Sequence, residues 1–180
     1  TKNSRTHCNW LENKFDNVTV YEIDLSQVYD GFKNTMSNFE NELGFANSKA
    51  RLRMTTLYQV ASSVNGLVVG TGNKVEDFGV GFYTKYGDGG VDISPIADLY
   101  KTEVYKCAEQ LDIHEDILNA PPTDGLWEDN RTDQDQLGLS YEILEQCMEN
   151  KASDEHQKIY NKIRKPNLHK IIPIPICRLT

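Results

Sequence analysis

The run Gly66-Leu67-Val68-Val69-Gly70 is the tightest constraint on how this chain of 180 residues can fold. Its apolar residues are consecutive rather than alternating, which fits a short strand buried on both faces, as in a parallel sheet with helices on either side. A second strand is expected at "NVTVYEID" (17–24), which alternates, is β-branched and opens with Asn. Around these lie segments of helical spacing. They are expected at 4–14 (Trp10, Leu11 and Phe15 apolar), 25–43 (Val28, Phe32, Met36, Phe39), 47–65 (Ala50, Met54, Leu57, Tyr58, Ala61), 140–150 and 154–164. "SPIADLYKTEVYKCAEQLDI" (94–113) is expected to be one helix, capped by Ser94 with Pro95 in its first turn. Residues 119–136 read as a polar loop, and the tail "HKIIPIPIC" is too rich in proline for helix. Helices alternating with strands give an α/β class with a parallel sheet, in one domain spanning 1–180. Two strands are too few for such a sheet, so either weaker strands are hidden or part of the sheet lies outside this sequence.

Composition excludes several function classes. A net charge of −8 argues against broad affinity for nucleic acid or anionic membranes. No run of about 18 apolar residues is present, so no membrane span is expected, and "TKNSRTHCNW" lacks the apolar stretch of a secretory signal. Four cysteines, at 8, 107, 147 and 177, form no CxxC or CxxH pair, which speaks against zinc and for reduced thiols in a cytosol.

Four stretches could carry chemistry. In "LVVGTGNKVED" (67–77) a buried strand ends at Gly70, Thr71 and Gly72, and ligands in parallel α/β sheets gather at the carboxyl ends of strands. Glu76 and Asp77 follow within one turn and could offer oxygen to a hard cation; equally, they could only favour a helix N-terminus. In "TKYGDGGVDISPIADLYK" (84–101), Gly87, Gly89 and Gly90 imply positive φ or close approach to a ligand, Asp88 could accept hydrogen bonds, and Lys101 could reach a phosphate. The same residues also fit a glycine turn with a solvated lysine. In "PPTDGLWEDNRTDQDQLG" (121–138), Thr123 and Arg131 are candidate phosphate contacts, whereas Asp129, Asp133 and Asp135 lack the DxDxDG pattern of calcium loops and read as solvated. Arg51 and Arg53 face different sides of a helix, so one could pair with a phosphate or carboxylate, and "HK" (169–170) fits a solvated pair. These residues suggest a nucleotide pocket without specifying a reaction.

Taken together, "NSKARLRMTTLY", "LVVGTGNKVED", "GFYTKYGDGGVDISPIADLYKTEV", "PTDGLWEDNRTDQDQLGLSYE" and "HKIIPIPIC" resemble the ammonia-dependent NAD⁺ synthetase family, in the family's order, over roughly residues 1–177. The resemblance implies a doubly wound parallel sheet, Rossmann-like and of the adenine-nucleotide alpha-hydrolase type, and a cytoplasmic homodimer. It also implies that ATP and Mg²⁺ are used to adenylate the nicotinate carboxylate of deamido-NAD⁺, after which ammonia displaces AMP. By the same resemblance, Thr71, Lys101 and Thr123 would contact ATP and Glu76 would ligate Mg²⁺. Arg51, Asp88, Gln136, His169 and Lys170 would hold the dinucleotide, with Asp88 and Lys101 at the chemistry. Gln136 stands where some members carry an acidic residue.

The family's pyrophosphate-binding loop, SGGxDS, is absent from the sequence. The expectation is that the first strands of the sheet are missing and that the native protein carries a further N-terminal segment of roughly 60 residues, enough for a βαβ unit. Without the loop, a nucleotide-binding or dimer-scaffold relative that has lost activity is an alternative. Another enzyme of the same superfamily, such as a thiolase-like or GMP-synthesising amidotransferase, is a third, against which "TKYGDGGVD" and "PTDGLW" stand.

Overall fold

Three- and four-residue apolar spacing is realised as helix along most of the chain. The computed structural model describes residues 2–129, 131–171, 173, 174 and 176–178. Its helices are α1 (Lys2–Lys14), α2 (Ser26–Thr35), α3 (Glu42–Ser63), α4 (Lys101–Gln110), α5 (Glu115–Leu118), α6 (Asp133–Leu137), α7 (Tyr141–Met148) and α8 (Asp154–Ile171), with a π-helical turn at Val75–Val80. The helix expected over 25–43 breaks after Thr35, and Asn41 starts α3 by accepting the Gly44 N–H on its side chain at 2.7 Å.

The expected sheet is not formed among the described residues. It is represented by one parallel bridge, Val69 to Ile93, with Gly70 N–H donating to Ile93 O (2.7 Å) and Asp92 N–H to Val68 O (2.9 Å). Val68 and Gly70 of the run are buried, whereas Leu67 is 66% and Val69 54% exposed. Residues 17–24 form no strand. A strand is held by its ladder and a two-sided strand by layers on both faces. Here 67–70 has a partner on one side only among the described residues, and 17–24 has none.

The expected helix over 94–113 starts only at Lys101, because the Glu103 carboxylate accepts the Tyr100 N–H (2.8 Å) and fixes the helix start there. Residues after Ser94 instead form turns, with Ala97 N–H on Ser94 O and Leu99 N–H on Ile96 O. Lys101 is therefore the first residue of α4, not a residue two turns inside a helix.

α8 runs past 164 and through Pro166 into the tail that was expected to be non-helical. The π-helical turn and the residues after it leave backbone carbonyls without helical partners, and one face of α8 supplies their donors. Tyr160 hydroxyl donates to Gly79 O (3.2 Å), and the Arg164 guanidinium donates to the Phe78 and Gly79 carbonyls. Asn167 Nδ2 donates to Val80 O (3.1 Å) and Lys170 Nζ to Gly81 O (2.9 Å). These tertiary bonds outweigh the hydrogen bond that proline cannot make. The core lies between this turn, α7 and α8, built on Val75, Val80, Leu137, Leu139, Leu144, Cys147 and Tyr160.

Candidate functional site

A cavity of about 540 Å³ opens where the 68–71 segment ends. α3 forms one wall through Ala46, Asn47, Ala50, Arg53 and Met54. The glycine-rich segment 87–91, the loop 122–127 and the start of α4 close the other sides. Thr71, Glu76, Asp88, Lys101, Thr123, Gln136 and Lys170, from six separate stretches of chain, all line it.

At its floor, Lys101 Nζ lies 3.0 Å from Glu76 Oε1, both side chains largely covered. The same oxygen accepts the Tyr141 hydroxyl at 2.7 Å, and Lys101 stands 4.9 Å above the Tyr141 ring. Asn73 builds the approach by accepting the Val75 and Glu76 N–H groups (3.0 and 3.1 Å), which points the Glu76 side chain inward. Tyr141 hydroxyl is also 3.0 Å from Asp133 Oδ2. Asp133 is 6% exposed, and its Oδ1 is buried with no partner among the described residues. Burial, then the Glu76 charge, raises the Asp133 carboxyl above the ordinary carboxylate range, opposed by the Tyr141 hydrogen bond. The sequence reading of Asp133 as part of a solvated acidic loop is therefore corrected: Asp129 and Asp135 are exposed, but Asp133 is not. Arg131 is occupied by Asp129 (2.6 Å) and stacks over Trp127.

Asp88 stands at the surface as a residue, but its carboxyl turns back onto the Thr84 N–H at 2.9 Å. Desolvation raises it, while the Thr84 bond and the Lys170 charge pull the other way. Burial lowers Lys170, whose Nζ donates to the Tyr83 carbonyl at 2.7 Å. Asp77, on a smaller adjoining cavity, is pushed up to about 6 by burial and by the charges of Glu76 and Asp88.

The glycines around Asp88 serve packing. None of Gly87, Gly89 and Gly90 has positive φ; Tyr86 does, at 62°. A Cβ on Gly87 would meet Thr84 Cγ2 at 2.8 Å, so the protein's own side chains demand this glycine. Arg51 and His169 do not line the cavity. Arg51 Nε donates to Lys85 O (3.2 Å), and Lys85 Nζ donates to His169 O (2.8 Å), so the three are linked to one another. Of the two arginines in "ARLRM", Arg53 is the one in the wall, donating to the Asp124 and Gly125 carbonyls. Asp124 in turn accepts Trp127 Nε1 and Gln136 Nε2, both at 3.1 Å, which holds the 122–136 loop against the cleft. Sequence reasoning missed Tyr141 and Asp124, read Asp133 as solvated, and left open which of Arg51 and Arg53 meets the cleft. The one local signal was that Tyr141 falls on the apolar side of α7, where a buried hydroxyl needs a partner.

The residues present fit a magnesium ion only in part. Among the described residues no group of three or more His, Cys, Asp or Glu side chains could hold a metal by itself. Glu76 meets both Lys101 and Tyr141 through Oε1, and one or two carboxylates completed by phosphate oxygens are a usual Mg²⁺ arrangement. No helix among the described residues is long and apolar enough to cross a membrane.

The sequence profile of NAD synthase matches residues 2–174. An NH(3)-dependent NAD(+) synthetase of Alkaliphilus metalliredigens is 41% identical over 170 residues, which cover 92% of this chain and 65% of that protein. The protein of the same name from Sulfurisphaera tokodaii is 37% identical over 187 residues, covering 94% and 63%. Among solved structures, an NMN synthetase from Francisella tularensis superposes with a TM-score of 0.85 at 31% identity, over 91% of this chain and 68% of that one. An NH3-dependent NAD synthetase from Campylobacter jejuni, solved with a nitrate ion, gives 0.65 at 26%, over 87% and 64%. The chain spans less than two thirds of the length of these curated relatives.

Proposed function

The chain belongs to the NAD synthase family, and on that premise we propose that it forms the nucleotide cleft of an ammonia-dependent NAD⁺ synthetase, a ligase of NAD biosynthesis. The observation that carries the proposal is the gathering of Thr71, Glu76, Asp88, Lys101 and Thr123 on one cavity. In this reading, a carboxylate oxygen of deamido-NAD⁺ attacks the α-phosphorus of ATP and pyrophosphate leaves. Ammonia then attacks the acyl carbon, the acyl–oxygen bond breaks, and AMP leaves.

Thr71 and Thr123 would hold ATP, and Lys101 would meet the charge that grows on its phosphates. Mg²⁺, held by Glu76 and phosphate oxygens, would supply further charge neutralisation when bound. Asp88 would take a proton from the attacking nitrogen, a role supported by the desolvation that makes its carboxylate a better base than an exposed aspartate. Gln136 and Lys170 would hold the dinucleotide in the cleft, with Arg51 and His169 at its margin. A cytoplasmic homodimer belongs to the same proposal, and sedimentation of the full-length protein tests the dimer.

The deciding experiment is a coupled assay on the full-length protein. AMP and NAD⁺ are expected in equal amounts, dependent on ATP, Mg²⁺, deamido-NAD⁺ and ammonia. Absence of AMP would remove the proposal and leave a nucleotide-binding scaffold. The higher TM-score to an NMN synthetase favours a second reading, in which the carboxylate that is adenylated belongs to the mononucleotide; turnover with the two nucleotides compared side by side separates them.

A further inference from the structure

The floor of the cleft contains a hydrogen-bond arrangement with one hydrogen too few. Tyr141 hydroxyl lies 2.7 Å from Glu76 Oε1 and 3.0 Å from Asp133 Oδ2. A phenol has one hydrogen, so it cannot donate to both carboxylates. The shorter contact takes it, and the longer one is a hydrogen bond only if Asp133 supplies the hydrogen. The surroundings of Asp133 favour that. Its other oxygen is buried without a donor among the described residues, and the Glu76 and Asp124 charges oppose a further negative charge there, offset in part by Lys101.

We propose that Asp133 is a positioning residue for Glu76: it donates to Tyr141, which donates to Glu76 and holds that carboxylate with one oxygen on Lys101 and the other turned to the ligand. The phenol ring also sits under Lys101, so one side chain aligns both charged groups. Asp133 reaches this place because its backbone N–H is fixed to Pro122 O at 2.9 Å, beside Thr123. Seating of the 122–136 loop and setting of Glu76 are therefore one event. The part of this inference that concerns Glu76 as a cation ligand rests on the function proposed above; the hydrogen-bond chain does not.

The test uses full-length protein with D133N, D133A and Y141F, each first checked by urea unfolding. Infrared spectra at pH 7.5 should show the carbonyl band of an un-ionised carboxylic acid in the wild type, lost in D133N and D133A. Its absence from the wild type overturns the chain. Titration with Mn²⁺ and ATP should show D133A and Y141F weakened by about 10- to 100-fold, as expected when a partner behind a metal ligand is removed. D133N, which keeps a donor, should stay near the wild type, and the D133A/Y141F double variant should be no weaker than either single one. A folded D133A or Y141F with wild-type affinity overturns the positioning role. If D133A does not fold, D133N and Y141F carry the comparison. A wild type that binds no ATP would sink the reading of the cleft, and the infrared band would still decide whether Asp133 donates.

Discussion

Among the described residues, Lys101 and Glu76 form the ion pair with the least exposed side chains. They are separated by 25 positions and meet at 3.0 Å with little exposure. K101A removes the cation that balances Glu76 and, in the proposed reaction, the charge facing phosphate. A fall in kcat/KM of about 10²- to 10³-fold is expected, measured by AMP release. Asp77 offers a test in the ligand-free protein. Its carboxyl is pushed up to about 6 from 3.8 when the chain folds. The folded state therefore binds the proton more tightly, and the ionised form opposes folding. Stability contributed by this group is lost as pH rises between about 4 and 6. D77N should be more stable than the wild type at pH 7.5 by on the order of 1–2 kcal/mol after solvent screening, in urea unfolding with a chelator present. The advantage should shrink towards pH 4.

At the scale of elements, helix ends were harder to read than helix interiors. Apolar spacing located α3 and α7, but the start of α3 depends on the Asn41 side chain, which the spacing rule does not see. N41A should cost about 1 kcal/mol of stability, read from the shift in urea midpoint at unchanged m-value. The start of α4 was misplaced because Ser94-Pro95 is a good local start, whereas the Glu103–Tyr100 bond fixes the real one. The end of α8 was misplaced for the opposite reason: Pro166 is a local stop, overridden by bonds from Tyr160, Arg164, Asn167 and Lys170 to the π-helical turn. The apolar run at 66–70 announced a strand, yet one bridge is all that pairs it among the described residues. Ladder partners come from distant sequence, and no local pattern can supply them.

For the whole molecule, the core of the described residues sits beside the cleft. Val75, Val80 and Leu144 are fully buried between the π-helical turn, α7 and α8, and the same turn carries Glu76. L144A should cost about 2–5 kcal/mol through the cavity it leaves. Because α7 also carries Tyr141, the same change should weaken ATP binding at temperatures where the protein is still folded, by calorimetry.

Local signals carried the family resemblance, the longer helical segments and seven of the residues on the cleft, because helical spacing and short motifs survive reading one position at a time. Which residues of those motifs touch was settled in three dimensions. The tertiary structure put Arg53 rather than Arg51 in the wall, buried one aspartate of three in an acidic loop, and set Tyr141 between Glu76 and Asp133. Burial and hydrogen-bond partnership are properties of neighbours in space, and for these residues the neighbours lie up to 72 positions away in the chain.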